Sequence, residues 1–304
     1  MSRITLRQLK YFDALAREQH FGRAARACAI SQPALSMQVR ELEQILGITL
    51  IERGPKQVQL TRFGERFAER AVDILRAVDD LEAIGRTAHD QFGGTLRLGM
   101  IPTIAPYLLP AVVKNLGKAY PDLAVQVREA MTARLIEELL DGRLDTAIVA
   151  LPVSEANLTE QPLFDEAFLL VRPASDQDLP VPAPDQLREM KLLLLEEGHC
   201  FRDQALAVCD AQTASPREVL DANSLSTLVQ MVSAGIGVTL IPEMALPVET
   251  RSADVSVARF PGRTPTRTIG MVWRKSSPLA GQLAKLADVI GAVAPLRVAV
   301  KETG

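Results

Sequence analysis

Histidine and cysteine are scarce in this chain, and their scarcity closes off several kinds of chemistry. Three histidines and three cysteines occur among 304 residues. No two cysteines stand in a C-x-x-C pair, so neither a zinc framework nor any other metal site is expected, and no cofactor is called for. A second catalytic constellation beside the cysteines is also missing, so an enzyme is not expected. Nothing near Met1 reads as an export signal, because Arg3, Arg7 and Lys10 interrupt the apolar residues before a run of signal length forms. An odd cysteine count without such a signal places the chain in the reducing cytoplasm, where any disulfide would be transient and functional. No stretch approaches the ~20 uninterrupted apolar residues of a membrane span, which leaves no membrane partner.

What is present is ordinary for a folded protein. Hydrophobic residues make up 47% and charged residues 23%, enough apolar matter for real cores. The length suits two or three units of roughly 100 to 200 residues each. A net charge of -3 hides an asymmetry: residues 1–62 carry +5 and the remainder -8. Only the N-terminal end therefore suits a polyanion, a weak signal that needs a motif beside it.

That motif follows from periodicity. Leu6, Leu9, Phe12, Leu15 and Ala16 fall at helical spacing. A short helix, Gly22 to Ala27, packs through Ala24 and Ala25, with Cys28 read as a small core residue. A break at Ala29-Ile30 then leads to a third helix. Ser31 is placed as its N-cap, Pro33 in its first turn and Gly47 at its end. Leu35, Val39, Leu42 and Leu46 form the inward face of that helix, which leaves Gln32, Ser36, Gln38 and Arg40 outward. Gln and Arg read base edges well from a helix in the major groove. Ser31, Gln32, Pro33, Ser36, Gln38 and Arg40 make the DNA-binding set, together with Arg53 and Lys56 on a hairpin wing around Gly54-Pro55-Lys56, where they could meet phosphates. From Thr61 to about His89, a seam of Phe67, Ala71, Ile74, Val78, Leu81, Gly85 and Ala88 predicts a helix pair between two chains. Packing of that seam on the C-terminal sensor unit of the same chain is the competing reading. Gln91-Phe92-Gly93-Gly94 reads as a hinge, and His20 and His89 as surface or packing residues.

After Thr95 strands and helices alternate, the wiring of an α/β unit. Strands are expected at 96–101, 123–128, 146–151, 168–171, 192–195, 237–241 and 268–273, with the single tryptophan, Trp273, in the core. Helices are expected at 106–119, 132–141, 201–209, 224–234 and 277–292. The segments fall into two sets joined near 163 and 265. The expected organisation is thus a winged helix-turn-helix (1–61), a linker helix (62–90) and a regulatory unit (91–304). That unit divides into subdomain I (91–162 and 266–304) and subdomain II (163–265).

The run LRQLKYFDALAREQHFGRAARACAISQPALSMQVRELEQILGITLIER, followed by LTRFG, resembles the LysR-type regulators across the whole helix-turn-helix and wing. Phe63 departs from the alanine more usual there, and its bulk would shift the wing against the linker helix. The resemblance implies an α plus α/β fold with a periplasmic-binding-protein-like sensor of two α/β subdomains, assembled as a homodimer or homotetramer. The sensor half resembles one branch, the OxyR peroxide sensors, through IPTIAPYLLP (101–110), PLFDE (162–166), LLLEEGHCFRDQAL (193–206) with Cys209, and RTIGMVWR (267–274). That branch implies that hydrogen peroxide oxidises Cys200, that Cys209 resolves the product as a disulfide, and that Thr103, Thr132, His199 and Arg267 surround the reactive thiol. Some members also carry a histidine where this chain reads Glu218-Val219-Leu220, so any role for it is lost. The implied partners are double-stranded promoter DNA, RNA polymerase, hydrogen peroxide and a thiol reductant of the glutaredoxin or thioredoxin kind.

The residues suit that chemistry. Peroxide is attacked by a thiolate, and Cys200 stands at the start of the helix 201–209, where the dipole favours an anion. His199 and Arg202 are its possible charge partners, and Asp203 is placed in the same pocket. If that helix forms, nine residues separate the two sulfurs by ~13 Å along its axis, whereas a disulfide needs Cα atoms within about 7 Å. Forming the bond must therefore remodel the segment, which turns oxidation into a switch. Two other readings stay open: a LysR-type regulator that responds to a small metabolite between the subdomains, and a thiol peroxidase.

Overall fold

The computed structural model describes residues 4–53, 58–87, 93–208, 219–262 and 264–293. The wing tip with Lys56, the linker residues Ala88 and His89, the hinge residues Gln91 and Phe92, and Cys209 with Glu218 lie outside them. Two compact units emerge, Met1–Gly85 and Arg86–Gly304.

The first unit opens with α1 (Leu6–Glu18), whose start is fixed by a capping box: Gln8 N–H donates to Thr5 Oγ1, and Thr5 N–H donates to Gln8 Oε1. Helix α2 (Phe21–Ala27) begins on His20, whose Nδ1 accepts from the Gly22 and Arg23 amides. This histidine, read in the sequence as surface or packing, is a helix cap. Helix α3 (Gln32–Leu46) has Ser31 as N-cap, accepting from Ala34 N–H, and Gly47 in the left-handed conformation at φ 69° as its stop. Leu35, Val39 and Leu42 pack inward with Phe12, Leu15, Leu50 and Ile51.

Strands β1 (Ile51–Arg53) and β2 (Val58–Leu60) pair antiparallel with Ile51 opposite Leu60. The wing is tied back to α3, because Glu43 Oε1 accepts the Leu50 and Ile51 amides at 2.8 and 3.2 Å. The long helix α4 (Arg62–Thr87) follows. Its seam divides. Phe67 meets Phe12 edge-on at 5.3 Å and Ala71 is buried, so the near end packs within its own unit rather than on a second chain. Farther along, Ile74 and Leu81 stand 47% and 67% exposed. Phe63 is 58% exposed; its bulk points to solvent and does not wedge wing from helix.

The second unit is built on β3 (Gly94–Met100), α5 (Ala105–Ala119), β4 (Leu123–Glu129), α6 (Thr132–Leu140), β5 (Thr146–Leu151), β6 (Leu158–Pro173), β7 (Leu192–Leu195), α7 (Cys200–Val208), β8 (Val219–Ala222), α8 (Leu225–Ser233), β9 (Val238–Pro242), α9 (Leu246–Glu249), β10 (Val255–Ala258), β11 (Thr266–Arg274) and α10 (Ala280–Gly291). Among the described residues the strands run in the order β4-β3-β5-β11-β6-β9-β7-β8, with β10 paired to β6. Strand β3 is parallel to β4 and β5, and β7 is parallel to β8 and β9, so each end of the sheet is a small parallel α/β lobe.

The sequence expectation is a joint near 163 and 265, and β6 is the strand that crosses from one lobe to the other, changing partner between Ala167 and Phe168. It carries a bulge at Leu163: its first part pairs with β11 and its last part with β9 and β10. Strands β8 and β10 were not anticipated. Strand β7 is buried on both faces, as expected for a parallel interior strand.

Candidate functional site

The outward face of α3 presents Gln32, Pro33 and Arg40 to solvent, with Ser31 exposed at its cap and Ser36 and Gln38 half-buried. Gln38 is held, for its Nε2 donates to Glu41 Oε2 at 2.8 Å. Met37, not singled out in the sequence, is also exposed on this helix; an outward methionine among polar residues was the signal for it, since apolar side chains can meet thymine methyl groups. Arg53 ends β1, and Lys56 lies outside the described residues. Cys28 is half-buried beside this unit's core, where burial pushes its thiol pKa up, away from the reactive anion.

The thiol site lies in the second unit, where three chain segments converge. The turn after β7 passes through Gly198 at φ 95°, a left-handed conformation that favours glycine, and delivers His199 and Cys200. Cys200 is the first residue of α7, and its thiol is free. Thr103 comes from the turn after β3, and Thr132 opens α6. Together Ile101, Pro102, Thr103, Met131, Thr132 and the 198–201 turn enclose a cavity of about 10 Å³, room for one water-sized molecule. On its other side Cys200 borders an open groove of about 860 Å³, which it shares with Thr132, Asp203, Gln204 and Arg267.

Polar groups around the sulfur are arranged unevenly. The Thr132 hydroxyl is buried without a hydrogen-bond partner, a group in want of a ligand. Arg267, fully buried, donates from Nη1 to Thr103 Oγ1 at 3.0 Å and from Nη2 to Thr103 O at 3.2 Å. Its Nε donates to Glu166 Oε2 at 2.8 Å, and its guanidinium lies 5.2 Å above the Phe201 ring. Burial raises the Glu166 pKa, and Arg267 pulls against that rise. Burial lowers the pKa of His199, against a smaller opposing effect of Glu196, so the neutral imidazole is favoured.

Arg202 is not brought to the thiol. Its guanidinium donates to Leu195 O at 2.8 Å and to Asp221 at 2.5 Å, and it lines neither cavity. A residue two places along a helix points some 200° away, so adjacency in sequence misled here. Asp203 is exposed at the groove. Two residues at the site were missed: Gln204, whose buried Oε1 has no partner and which sits one turn on from Cys200, and Glu166. The i to i+4 spacing was the available signal for Gln204; Glu166, one of two adjacent acids with Asp165 in the PLFDE run, carried no local signal of its own.

A helix-turn-helix with a β wing, followed by a two-lobed α/β unit, defines the class of winged-helix transcription regulators with an attached sensor. Residues 6–65 match the bacterial regulatory helix-turn-helix protein family of lysR type, and residues 89–295 match the LysR substrate binding domain. A probable hydrogen peroxide-inducible genes activator of Streptomyces viridosporus is 44% identical over 293 residues, covering 94% of this chain and 93% of that protein. The DNA-binding transcriptional dual regulator OxyR of Escherichia coli K12 is 40% identical over 95% of each chain. Among solved structures, a cysteine-to-aspartate variant of full-length OxyR from Pseudomonas aeruginosa superposes with a TM-score of 0.75 at 35% identity over 100% of both chains. A cysteine-to-serine variant of Corynebacterium glutamicum OxyR, with hydrogen peroxide bound, gives 0.64 at 35% identity, covering 96% of this chain and 92% of that one. The chain belongs to the LysR family, in its OxyR branch.

Proposed function

We propose that the protein is a DNA-binding transcription regulator that senses hydrogen peroxide through Cys200. The observation that carries this reading is a free thiol at the first turn of α7, opening on a water-sized cavity that holds the unpartnered Thr132 hydroxyl. The Cys200 thiolate attacks one peroxide oxygen, the O–O bond breaks, and the departing hydroxide takes a proton to leave as water. Neutral His199 can relay that proton, and Thr103 and Thr132 hold the oxidant. The sulfenic acid formed then condenses with the Cys209 thiol, releasing a second water and leaving a disulfide. A dithiol reductant of the glutaredoxin or thioredoxin kind reverses it.

Helical geometry supplies the switch. Eight steps of α7 separate the Cα atoms of Cys200 and Val208 by about 12 Å. A residue joined directly to Val208 cannot then approach Cys200 more closely than about 8 Å between Cα atoms, beyond the roughly 7 Å limit of a disulfide. The bond requires α7 to unwind, releasing Phe201 and Ala205 from the lobe's core. The exposed Ile74 and Leu81 on α4 support pairing of two chains, as a dimer or a dimer of dimers. Refolding of α7 would re-space the paired heads on promoter DNA and alter contact with RNA polymerase. In this reading Gln32, Ser36, Gln38 and Arg40 read bases, while Ser31, Pro33, Arg53 and Lys56 hold the backbone. The boundaries 1–61, 62–90 and 91–304 belong to it, as does a cytoplasmic site of action. No helix among the described residues is long and apolar enough to cross a membrane.

The open groove beside Cys200 is of metabolite size and favours a second reading, a regulator answering a small metabolite with its cysteines incidental. Footprinting on the promoter beside its own gene, reduced and oxidised, tests both. Wild-type protein should change its footprint with peroxide, and mass spectrometry should find Cys200 joined to Cys209. Cys200→Ser should bind DNA yet ignore peroxide. A peroxide response that survives that substitution refutes the proposal.

A further inference from the structure

The PLFDE run resembles its branch but has no part in the thiol chemistry as described so far. We infer that Glu166 is a positioning residue for peroxide attack, acting through Arg267 on the Thr103 hydroxyl; this rests on the peroxide reading of Cys200.

Glu166 on β6 stands directly opposite Arg267 on β11 in the antiparallel register. Both side chains are almost completely buried, and Glu166 Oε2 lies 2.8 Å from both Nε and Nη2 of Arg267. Its other oxygen, Oε1, accepts the Met244 amide at 2.9 Å, in the 3-10 turn that follows β9. The carboxylate is thus held from two sides and fixes the plane of the guanidinium. In that plane Nη1 reaches Thr103 Oγ1 and Nη2 reaches Thr103 O, while the flat face covers the Phe201 ring next to Cys200.

The consequence falls on one proton. Thr103 Oγ1 already accepts from Arg267, so its own hydroxyl proton is free to be donated elsewhere, and Thr103 lines the small cavity with Cys200. A donor held there meets the negative charge that builds on the leaving peroxide oxygen, the arrangement that lowers a barrier most. Without the carboxylate, a buried guanidinium loses its counter-charge and the reason to keep this plane. Glutamine cannot replace it fully: if its carbonyl takes Arg267, its amide N–H faces the Met244 N–H, donor against donor.

Two rates measured on the full-length reduced protein separate positioning from mere support. Stopped-flow oxidation of Cys200 by hydrogen peroxide needs the donor; alkylation of the same thiol by iodoacetamide does not. Glu166→Gln should slow oxidation about tenfold or more, the scale of losing one transition-state donor, with alkylation within about twofold of wild type. Thr103→Val should slow oxidation similarly, and the double variant should be no slower than Thr103→Val by more than about twofold, since both act on one bond. If the glutamine variant does not fold, Glu166→Asp, which keeps the charge but falls one methylene short, carries the same two measurements. Oxidation at the wild-type rate, equal slowing of both reactions, or additive losses in the double variant overturns the inference. Wild-type Cys200 reacting with peroxide no faster than free glutathione would instead remove the peroxide reading beneath it.

Discussion

Helices α3 and α7 show how differently one chain can treat two short helices on which its activity depends. Helix α3 spans 15 residues, is capped by Ser31 and stopped by Gly47, carries three inward aliphatic residues, and is tied to the wing by Glu43. Helix α7 spans nine residues and buries two, Phe201 and Ala205, and its first residue is Cys200, the thiol of the proposed switch. Its main anchor is Phe201, which packs on Phe168 at 5.2 Å and lies under Arg267. Helix α3 is fixed at its cap, its stop and its inward face, whereas α7 is held by Phe201 and Ala205 in the core, by the partly buried Leu206 and Val208, and by Arg202, which donates to Leu195 O and Asp221. In the proposed mechanism α7 is the element that gives way, and switching elements are drawn from the less stable parts of a fold.

This contrast can be broken from either side. The largest effect should come from Leu35→Ala, which opens a cavity under α3: chemical denaturation should show the first unit losing about 3 kcal/mol, while Cys200 reacts with peroxide at an unchanged rate. A loss of peroxide reactivity in that variant would mean the two helices are not independent. Phe201→Leu should cost the second unit about 1 to 2 kcal/mol and speed conversion of the sulfenic acid to the disulfide, read by quenched-flow mass spectrometry; a slower conversion would show that α7 need not unwind. Ser31→Ala removes one cap and should cost about 1 kcal/mol in the first unit, with weaker DNA binding by gel shift and no change in thiol kinetics.

The smallest effect concerns His199. Because burial lowers its pKa in the folded state, the unfolded chain binds the proton more readily, so its contribution to stability is complete above the unfolded value near 6.5 and is lost as pH falls through the folded value. Denaturation midpoints should decline gently below that pH, and His199→Gln should flatten the decline; an unchanged slope would assign the decline to other groups.

The sequence was readable where local rules act alone. The cap, proline and glycine of α3 all lie between Ser31 and Gly47, and β5 was found at its observed limits. Strand β6 was read only at 168–171, because its first part pairs with β11 over half-exposed faces and shows no hydrophobic run. Strand β8 has only four residues, one of them Asp221. At the thiol site, Cys200, Thr103, Thr132, His199 and Arg267 are gathered as the family resemblance implied. Glu166 was unreadable because its partner lies 101 residues away in the chain, and only strand register brings them face to face. Arg202 shows the converse error, a neighbour in sequence whose side chain serves Asp221 instead.

The course of β6 through both lobes bears on how a signal would leave the sensor in the proposed mechanism. Sixteen extended residues span about 50 Å, one strand, bulged at Leu163, that pairs with β11 on one lobe and with β9 and β10 on the other. Two lobes that share one strand are tied more closely than lobes joined by slack loops alone. Information gathered at the sulfur is therefore better exported by rewriting a short stretch of polypeptide than by swinging whole lobes, and an oxidant as small as peroxide has little surface with which to pull two lobes together.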